Sequence, residues 1–379
     1  MSTSVDTGRA RAWAWVAHLR SGGTTPWRAW TAADAPDRDR FGRGGRYLPG
    51  AQQLELLRRL NAAGRPTASL VDRVLNASAP GRGRPDLELV GVDEARRFGP
   101  PAVDPAELSD DELLRVATGL LAAGLTRSAQ LRRIGRVGPT VSVPSRRPRR
   151  FRTRYQLAGD PWLASAHTAA LVADGRPPAA PRRSVHVLGA DVPTMLAHTW
   201  AAGAFGTGTP SWPDFLARVR ARRRLPLRVD LPGVVERFRA RPHTGRVGVV
   251  LDLDALPRLV GVRRLDAVPD VPAHATELAR QVGLALGLHV LPAEQSELLG
   301  SVLRPRLERV SGMLPEVPPE HRDWVEDAAF AMRQRLLRAD YPVVGDPDVI
   351  LADWAGPDLG AEPGSSPLDL AIELLLEEA

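Results

Sequence analysis

Four aspartates come shortly after apolar segments of strand length. They are Asp160 after YQLAG, Asp191 after VHVLGA, and Asp252 and Asp254 after RVGVVL. Ligands of open parallel sheets bind in the crevice beyond the carboxyl ends of the strands. We therefore expect these carboxylates to gather, with Gly159 and Gly189, around one nucleotide- or anion-binding crevice. The alternative for each aspartate is structural, because Asp is a preferred N-cap of the helix that follows.

The segments around these aspartates alternate between strand-like and helix-like patterns. Short apolar strands are expected at 155–159, 185–189 and 246–251, and the segments 225–229 and 341–345 are also expected to be extended. Such alternation is typical of a parallel sheet flanked by helices. We predict an α/β protein with a Rossmann-like sheet, a mainly helical N-terminal domain and helical C-terminal additions.

The length of 379 residues predicts two domains, or one large domain with an appendage. The hydrophobic fraction of 43% is enough for a folded core. We expect a helical domain at 1–135, an Arg/Pro-rich linker at 136–150, an α/β domain at 151–354, a flexible linker at 355–366 and a tail helix at 367–379. The tail, LDLAIELLLEEA, is apolar and acidic, so it either packs on this chain or binds a protein partner.

The chain contains neither lysine nor cysteine, and all 51 of its Lys and Arg residues are arginines. Walker-type phosphate loops, protein kinases and Schiff-base enzymes need a lysine amine. Cysteine nucleophiles, disulfides and iron–sulfur clusters need thiols. The sequence excludes these classes. GC-rich codon usage explains the lysine gap, since Asn, Ile and Tyr are also rare, and selection against a lysine-directed modification is the alternative.

Two arginine clusters suggest an anionic partner. Arg218, Arg222 and Arg223 belong to a basic stretch, and the densest basic run lies at 146–154. The guanidinium group binds phosphate, sulfate and carboxylate bidentately, and the net charge is +7. A polyanion, phosphate or sulfate partner is therefore expected. The alternatives are a basic helix end favoured by the helix dipole and a solvated linker.

The Asp-Leu-Asp sequence at 252–254 resembles motifs of two enzyme classes. An apolar strand followed by Asp-x-Asp is similar to the first motif of haloacid-dehalogenase phosphatases, and VVGDPD at 343–348 loosely matches that family's closing Gly-Asp segment. The same pair resembles the metal-binding aspartates of nucleotide-sugar glycosyltransferases. Either resemblance implies that Asp252 and Asp254 are catalytic residues of a metal-dependent enzyme. The histidines show no spacing typical of a metal site.

A longer stretch resembles bacterial sulfotransferase-like proteins. The segment 185–219 contains a strand, an Asp-containing loop, a helix with a central Trp200 and the turn Trp-Pro-Asp-Phe-Leu, and 227–252 is similar to the next helix and strand of those proteins. The resemblance covers roughly 150–290. It implies sulfuryl transfer from an adenylyl-sulfate nucleotide, and it makes His198 the candidate base for the acceptor.

The donor-binding loop that this resemblance implies is degenerate. Its expected place, LAGDPWLA at 157–164, lacks the anion-binding residues of the family. The nearest match elsewhere is RSGGTT at 20–25, which makes Arg20, Thr24 and Thr25 candidate nucleotide-binding residues, with a helix C-cap as the alternative. The leading hypothesis is a degenerate sulfotransferase-like protein with a nucleotide or anion crevice. The alternative is a non-enzymatic, arginine-rich binding or scaffold protein.

The sequence predicts a cytoplasmic protein without a membrane partner. No apolar run reaches the length of about 18 residues that a transmembrane helix needs. The first residues also lack the apolar core of a secretory signal. The lack of cysteine fits a reducing compartment.

Overall fold

The computed structural model describes residues 2–30, 48–77, 86–92, 101–135, 154–178, 183–242, 244–352, 354 and 366–378. By its internal contacts the chain forms two compact units. The first comprises Met1–Ile134, Glu277–Leu298 and Gly364–Ala379, and the second comprises Gly135–Thr276 and Leu299–Pro363. The expected linker at 136–150 and residues 355–365 of the second linker lie outside the described residues.

The described regular elements are mostly helices. In chain order they are α1 (Ser2–Arg20), α2 (Ala51–Ala63), α3 (Ala68–Leu75), α4 (Asp110–Gly135), α5 (Pro161–Ala173), α6 (Val192–Ala204), α7 (Trp212–Ala221), α8 (Leu231–Arg239), α9 (Leu256–Val260), α10 (Ala273–Leu286), α11 (Pro292–Leu298), α12 (Arg304–Leu307), α13 (Pro319–Leu337) and α14 (Pro367–Glu377). The strands are β1 (Tyr155–Gly159), β2 (Ser184–Leu188), β3 (Val247–Val250) and β4 (Val343–Val344). None of the described helices combines the length and the apolar character needed to cross a membrane.

The first unit is built around α2. Its leucines Leu54, Leu56, Leu57 and Leu60 are fully buried, and α2 contacts α1, α3 and α14. The tail helix α14 buries six of its apolar residues, and the position of a Cβ on Gly64 lies 2.9 Å from the Leu376 side chain. Of the two possibilities for the tail, packing on this chain is therefore the one observed.

A capping box starts the tail helix. The Ser366 hydroxyl accepts from the Asp369 N–H at 3.1 Å, and the Asp369 carboxylate accepts from the Ser366 N–H at 3.2 Å. We expect Ser366→Ala to lower the free energy of unfolding by about 1 kcal/mol, because one helix N–H loses its partner. Urea unfolding measures this. The control Ser296→Ala removes a hydroxyl inside α11 and should cost nothing; equal losses in both variants would contradict the capping role.

The second unit contains a four-stranded parallel sheet in the order β1-β2-β3-β4. The predicted parallel α/β sheet is thus confirmed. Gly159 pairs with Leu188, Leu188 with Val250, and Val250 with Val344, so the four strands end together at one edge, which we call the carboxyl edge. Nucleotide-binding α/β sheets bind their ligand at the point where the strand order reverses. The described strands follow one another in sequence order, so they contain no such point.

Helices cover both faces of this sheet because its strands are apolar on both sides. On one face, Val185, Val187, Val247 and Val249 pack in one core with residues of α6, α7, α8 and α13. On the other face, Tyr155, Leu157, Leu188 and Val250 pack with residues of α5 and α9. The result is a three-layer arrangement whose loops at the carboxyl edge carry the predicted site residues.

One expectation about regular structure is wrong. The segment 225–229 is a turn and not extended, because Pro226 favours a turn and its carbonyl accepts from the Val229 N–H at 2.9 Å. Residues 292–307 are helical throughout, and a π-helical turn at Leu299–Leu303 joins α11 to α12.

Candidate functional site

The predicted aspartates lie at the carboxyl edge, where they cap the elements that follow. Asp160 accepts from the N–H groups of Trp162 and Leu163, at 2.9 and 3.0 Å. Asp191 accepts from the Thr194 N–H at 2.9 Å, and Asp252 from the Asp254 N–H at 3.0 Å. The structural alternative therefore holds at each strand end. The carboxylates share an edge, but these oxygens are occupied by backbone.

The two predicted cofactor-binding glycines serve close packing. Gly159 has a φ of +88°, and a Cβ there would lie 2.2 Å from the carbonyl oxygen of Leu188. A Cβ on Gly189 would lie 2.4 Å from the Leu231 side chain. Both glycines therefore allow a close approach of neighbouring protein atoms. Their role in binding a nucleotide stays a prediction.

Asp252 and Asp254 are exposed and lie beside the end of β4. The position of a Cβ on Gly345 is 2.6 Å from the Asp252 nitrogen, so the VVGDPD segment does lie next to the Asp-x-Asp pair. Within the described parts of the chain, however, no group of three His, Asp or Glu residues could hold a metal ion. The geometry therefore gives the two metal-dependent hypotheses no support beyond the motif.

His198 lies between two carboxylates. Its Nδ1 is 2.8 Å from Asp160 Oδ2 and its Nε2 is 2.9 Å from Asp270 Oδ1. Asp160 is 0% exposed and His198 is 2% exposed. Ionised carboxylates only accept hydrogen bonds, so a carboxylate beside each ring nitrogen favours a doubly protonated ring. The geometry thus favours an imidazolium ion.

The pKa of His198 depends on burial and on the two neighbouring carboxylates. Burial lowers it, but the hydrogen bonds and charges of Asp160 and Asp270 outweigh burial and raise the pKa of His198 to about 9. A general base needs an unprotonated nitrogen at the working pH. In this arrangement both nitrogens are protonated and paired, so the role of acceptor base, implied for His198 by the sulfotransferase resemblance, has no support from the geometry.

The sequence does not predict the contact between His198 and Asp270, its more exposed partner. Asp270 lies 72 residues beyond His198, in the irregular segment 262–272, and no spacing pattern marks it. The Trp162 indole fixes this segment by donating to the Pro269 carbonyl at 3.0 Å. The Arg304 guanidinium stacks on the same Trp162 side chain, 3.7 Å from its ring centroid. Aromatic and charged contacts therefore hold the segment in place.

The predicted anion-binding arginines line one cavity of about 1040 Å³, which we call the arginine cleft. Arg218 and Arg222 are four residues apart at the end of α7, so they share a helix face. Arg223 and Arg224 continue the same wall. Apolar side chains, including Phe215 and Met332, complete the lining. The structure thus brings Arg218, Arg222 and Arg223 together and adds Arg224.

The arginine cleft has a positive charge that the described residues do not neutralise. No ion pair joins Arg218, Arg222, Arg223 or Arg224 to an acidic residue in the described ranges. The acids of the cleft, Asp230 and Glu236, are both paired with Arg335, at 2.9 and 3.0 Å. Arg223 is the one described non-glycine residue with a positive φ, +49°. It follows the C-cap of α7, a position where a left-handed residue commonly ends a helix.

The predicted donor-loop residues belong to a helix end in the first unit. Gly22 has a φ of +93°, and the Gly23 N–H donates a hydrogen bond to the His18 carbonyl at 2.9 Å. This turn therefore ends α1. Arg20 is paired with Asp72 at 2.5 Å, and the Thr25 hydroxyl is 3.1 Å from His18 Nε2. A helix C-terminus presents carbonyl groups, whereas an anion needs N–H groups. The assignment of Arg20, Thr24 and Thr25 to nucleotide binding is therefore corrected to a helix cap.

Of the second arginine cluster, only Arg154 lies within the described residues. The prediction for 146–153 stays a prediction. Comparisons of this chain with protein-family models, with curated proteins and with solved structures find no match. In the second unit, the arginine cleft is the feature with the clearest chemistry.

Proposed function

We propose that the second unit binds a small phosphate- or sulfate-bearing ligand in the arginine cleft. One observation carries the proposal: four guanidinium groups without an acidic partner among the described residues line a single cavity of about 1040 Å³. Small-molecule sites commonly have volumes of about 300–1,000 Å³. Arginine is suited to such ligands because its planar fork donates two parallel hydrogen bonds to an oxyanion.

In this proposal the protein is a degenerate, Rossmann-like relative of the sulfotransferase-like proteins that binds without transferring a sulfuryl group. Asp160, in the expected donor loop, is buried and caps α5. The RSGGTT segment ends a helix, and both nitrogens of His198 are paired. These features support binding over catalysis. The lack of cysteine and the absence of a spanning helix among the described residues favour a cytoplasmic setting for it.

The ligand class follows from the two kinds of surface in the arginine cleft. The arginines favour a group with two or more negative charges, and Phe215, Leu225 and Met332 offer apolar surface for an uncharged body. Adenosine 3′,5′-bisphosphate has both parts, as does an adenylyl-sulfate nucleotide. Inorganic pyrophosphate has only the anionic part, so comparing the two separates the contributions of charge and of apolar contact.

We expect adenosine 3′,5′-bisphosphate to raise the melting temperature of the protein, because a ligand that binds only the folded state stabilises it. Pyrophosphate should give a smaller shift. In the double variant Arg218→Gln/Arg222→Gln, affinity should fall by at least about tenfold, since hydrogen bonds to charged groups contribute about 1.5–3 kcal/mol each. Thermal shift at constant ionic strength measures this.

The matched control is Arg258→Gln/Arg263→Gln, which removes the same charge from arginines outside the cleft. It should keep the full ligand-induced shift. Comparing the shifts, not the absolute melting temperatures, separates binding from any change in helix stability. Absence of a shift in the unmodified protein at millimolar ligand would contradict the proposal.

A second candidate is binding of a polyanion such as RNA or DNA. The observation that favours it is an exposed basic surface around the same helix, formed by Arg218, Arg220, Arg222, Arg223, Arg224 and Arg228. Binding through phosphate contacts weakens steeply with salt. A steep salt dependence of RNA binding, lost in Arg218→Gln/Arg222→Gln, would support this candidate, and binding of the nucleotide without binding of RNA would favour the small ligand.

A further inference from the structure

The two carboxylates that hold His198 are not equivalent. Asp160 is fully buried; one of its oxygens accepts from two backbone N–H groups of α5 and the other contacts His198. The Asp270 side chain is 52% exposed, and its one described side-chain contact is with His198 Nε2. Asp160 is therefore built into the fold, whereas Asp270 can leave by rotating its own side chain.

We propose that His198 Nε2–H is an oxyanion-binding site at the carboxyl edge, that the chain's own Asp270 carboxylate plugs it, and that the carboxylate of a small ligand takes the place of Asp270 when that side chain swings into solvent. The site is separate from the arginine cleft and does not depend on its function. Its ligand is a carboxylate because Asp270, the group now bound, shows that one fits.

The geometry fixes the orientation of the His198 ring independently of Asp270. Asp160 accepts from Nδ1 at 2.8 Å, which sets the ring orientation and directs Nε2 toward the exposed side chain. A buried carboxylate that orients a histidine in this way determines which nitrogen faces the ligand. A buried Nε2–H without an acceptor is unfavourable. When Asp270 moves away, another oxyanion can therefore accept this hydrogen bond.

The plug can open without unfolding the segment 262–272. Trp162 holds the Pro269 carbonyl next to Asp270 at 3.0 Å, and the Thr276 hydroxyl contacts the Val271 carbonyl at 3.4 Å. These contacts involve the backbone and not the Asp270 carboxylate. Displacement of Asp270 therefore breaks one hydrogen bond and leaves the surrounding structure anchored.

The other charged groups around the site are already paired. Asp160, which caps α5, is paired with His198, and burial lowers the pKa of His167 on that helix. From α12, Arg304 stacks on Trp162 and pairs with Glu308 at 2.7 Å. From the segment 262–272, the facing group is Asp270. With Asp270 displaced, the protonated His198 is the charge left without an external partner.

Chemical rescue tests the site. In Asp270→Ala the pKa of His198 should fall by at least about one unit, because a charge within hydrogen-bond distance is lost. Sodium formate should raise it again in a saturable way, relative to sodium chloride at equal ionic strength. Proton NMR of the histidine Cε1–H signals follows this titration, and His198→Gln assigns the resonance among the eight histidines.

Two variants make the result decisive. Asp270→Asn keeps an oxygen that accepts from Nε2–H, so its site stays occupied and formate should have no effect. Asp266→Ala removes an exposed carboxylate from the same segment and should behave like the unmodified protein. The proposal is overturned if formate leaves the His198 signal of Asp270→Ala unchanged, or if all three variants respond alike. If Asp270→Ala folds only in formate, that dependence supports the site; if it stays unfolded in formate, the proposal fails.

Discussion

Replacing Asp160 with alanine should lower the free energy of unfolding of the second unit by about 3–5 kcal/mol, the usual cost of breaking a buried ion pair by removing one partner. The substitution strips two N–H groups at the start of α5 of their acceptor and leaves the His198 Nδ1–H facing a cavity. Urea denaturation at pH 7 measures the change, with tryptophan fluorescence as the probe.

Asp191→Ala is the matched control, because Asp191 also caps a helix after a parallel strand but contacts no histidine. It should lose only the cap, worth about 1 kcal/mol. The difference between the two variants isolates the His198 contact from the capping contact. Equal losses would show that Asp160 is no more than a helix cap and would remove the buried imidazolium from the account.

The stability of the second unit should also fall as the pH rises from about 6.5 to about 9, by about 3 kcal/mol in total. The folded pKa of His198 is raised to about 9, whereas an unfolded histidine has a pKa of about 6.5. A raised pKa means that the folded state holds the proton more tightly. The stabilisation is therefore complete below the unfolded pKa and is lost as the pH rises through the folded pKa, at about 1.4 kcal/mol per unit.

The composition makes this pH dependence unusually easy to assign. The chain has no lysine and no cysteine, the groups that normally titrate between neutral pH and pH 10. Burial lowers the pKa values of His167, His186 and His274, and it raises those of Tyr155 and Tyr341. Both directions of shift move these five groups away from the window. The amino terminus, Tyr47 and the remaining histidines are common to all variants and affect them equally.

Urea unfolding at intervals between pH 6 and pH 10 tests this prediction. The unmodified protein should follow the decline described above, and His198→Gln should be nearly flat because it has no proton to lose there. A parallel decline in the variant would assign the effect to another group. A flat profile in the unmodified protein would contradict the imidazolium.

Sequence patterns predicted the first three strands of the second unit and the helix caps that follow them. The segment YQLAG is β1, VHVLG overlaps β2 and RVGVVL contains β3. A short apolar run predicts a strand, and the aspartate that follows indicates where the strand ends. The aspartates at 160, 191 and 230 each cap a helix. These features depend on neighbours within a few residues, which is the range that a sequence pattern covers.

Contacts between distant segments could not be predicted in the same way. The glycine at 189 suggested space for a phosphate, but the sequence does not show that Leu231 packs close to it from the start of α8. No sequence pattern near His198 predicts its contact with Asp270, which lies 72 residues away. The arginines of α7 were visible as a cluster, whereas the opposite wall of the cleft comes from α13, through Ala328, Ala331 and Met332.

Isothermal titration calorimetry with inorganic pyrophosphate measures whether the arginine cleft binds an anion. At fixed ionic strength we expect one site per chain, an affinity at least about tenfold weaker in Arg218→Gln/Arg222→Gln, and unchanged binding in Arg258→Gln/Arg263→Gln. Equal affinities for the two double variants, or no binding to the unmodified protein, would contradict this expectation.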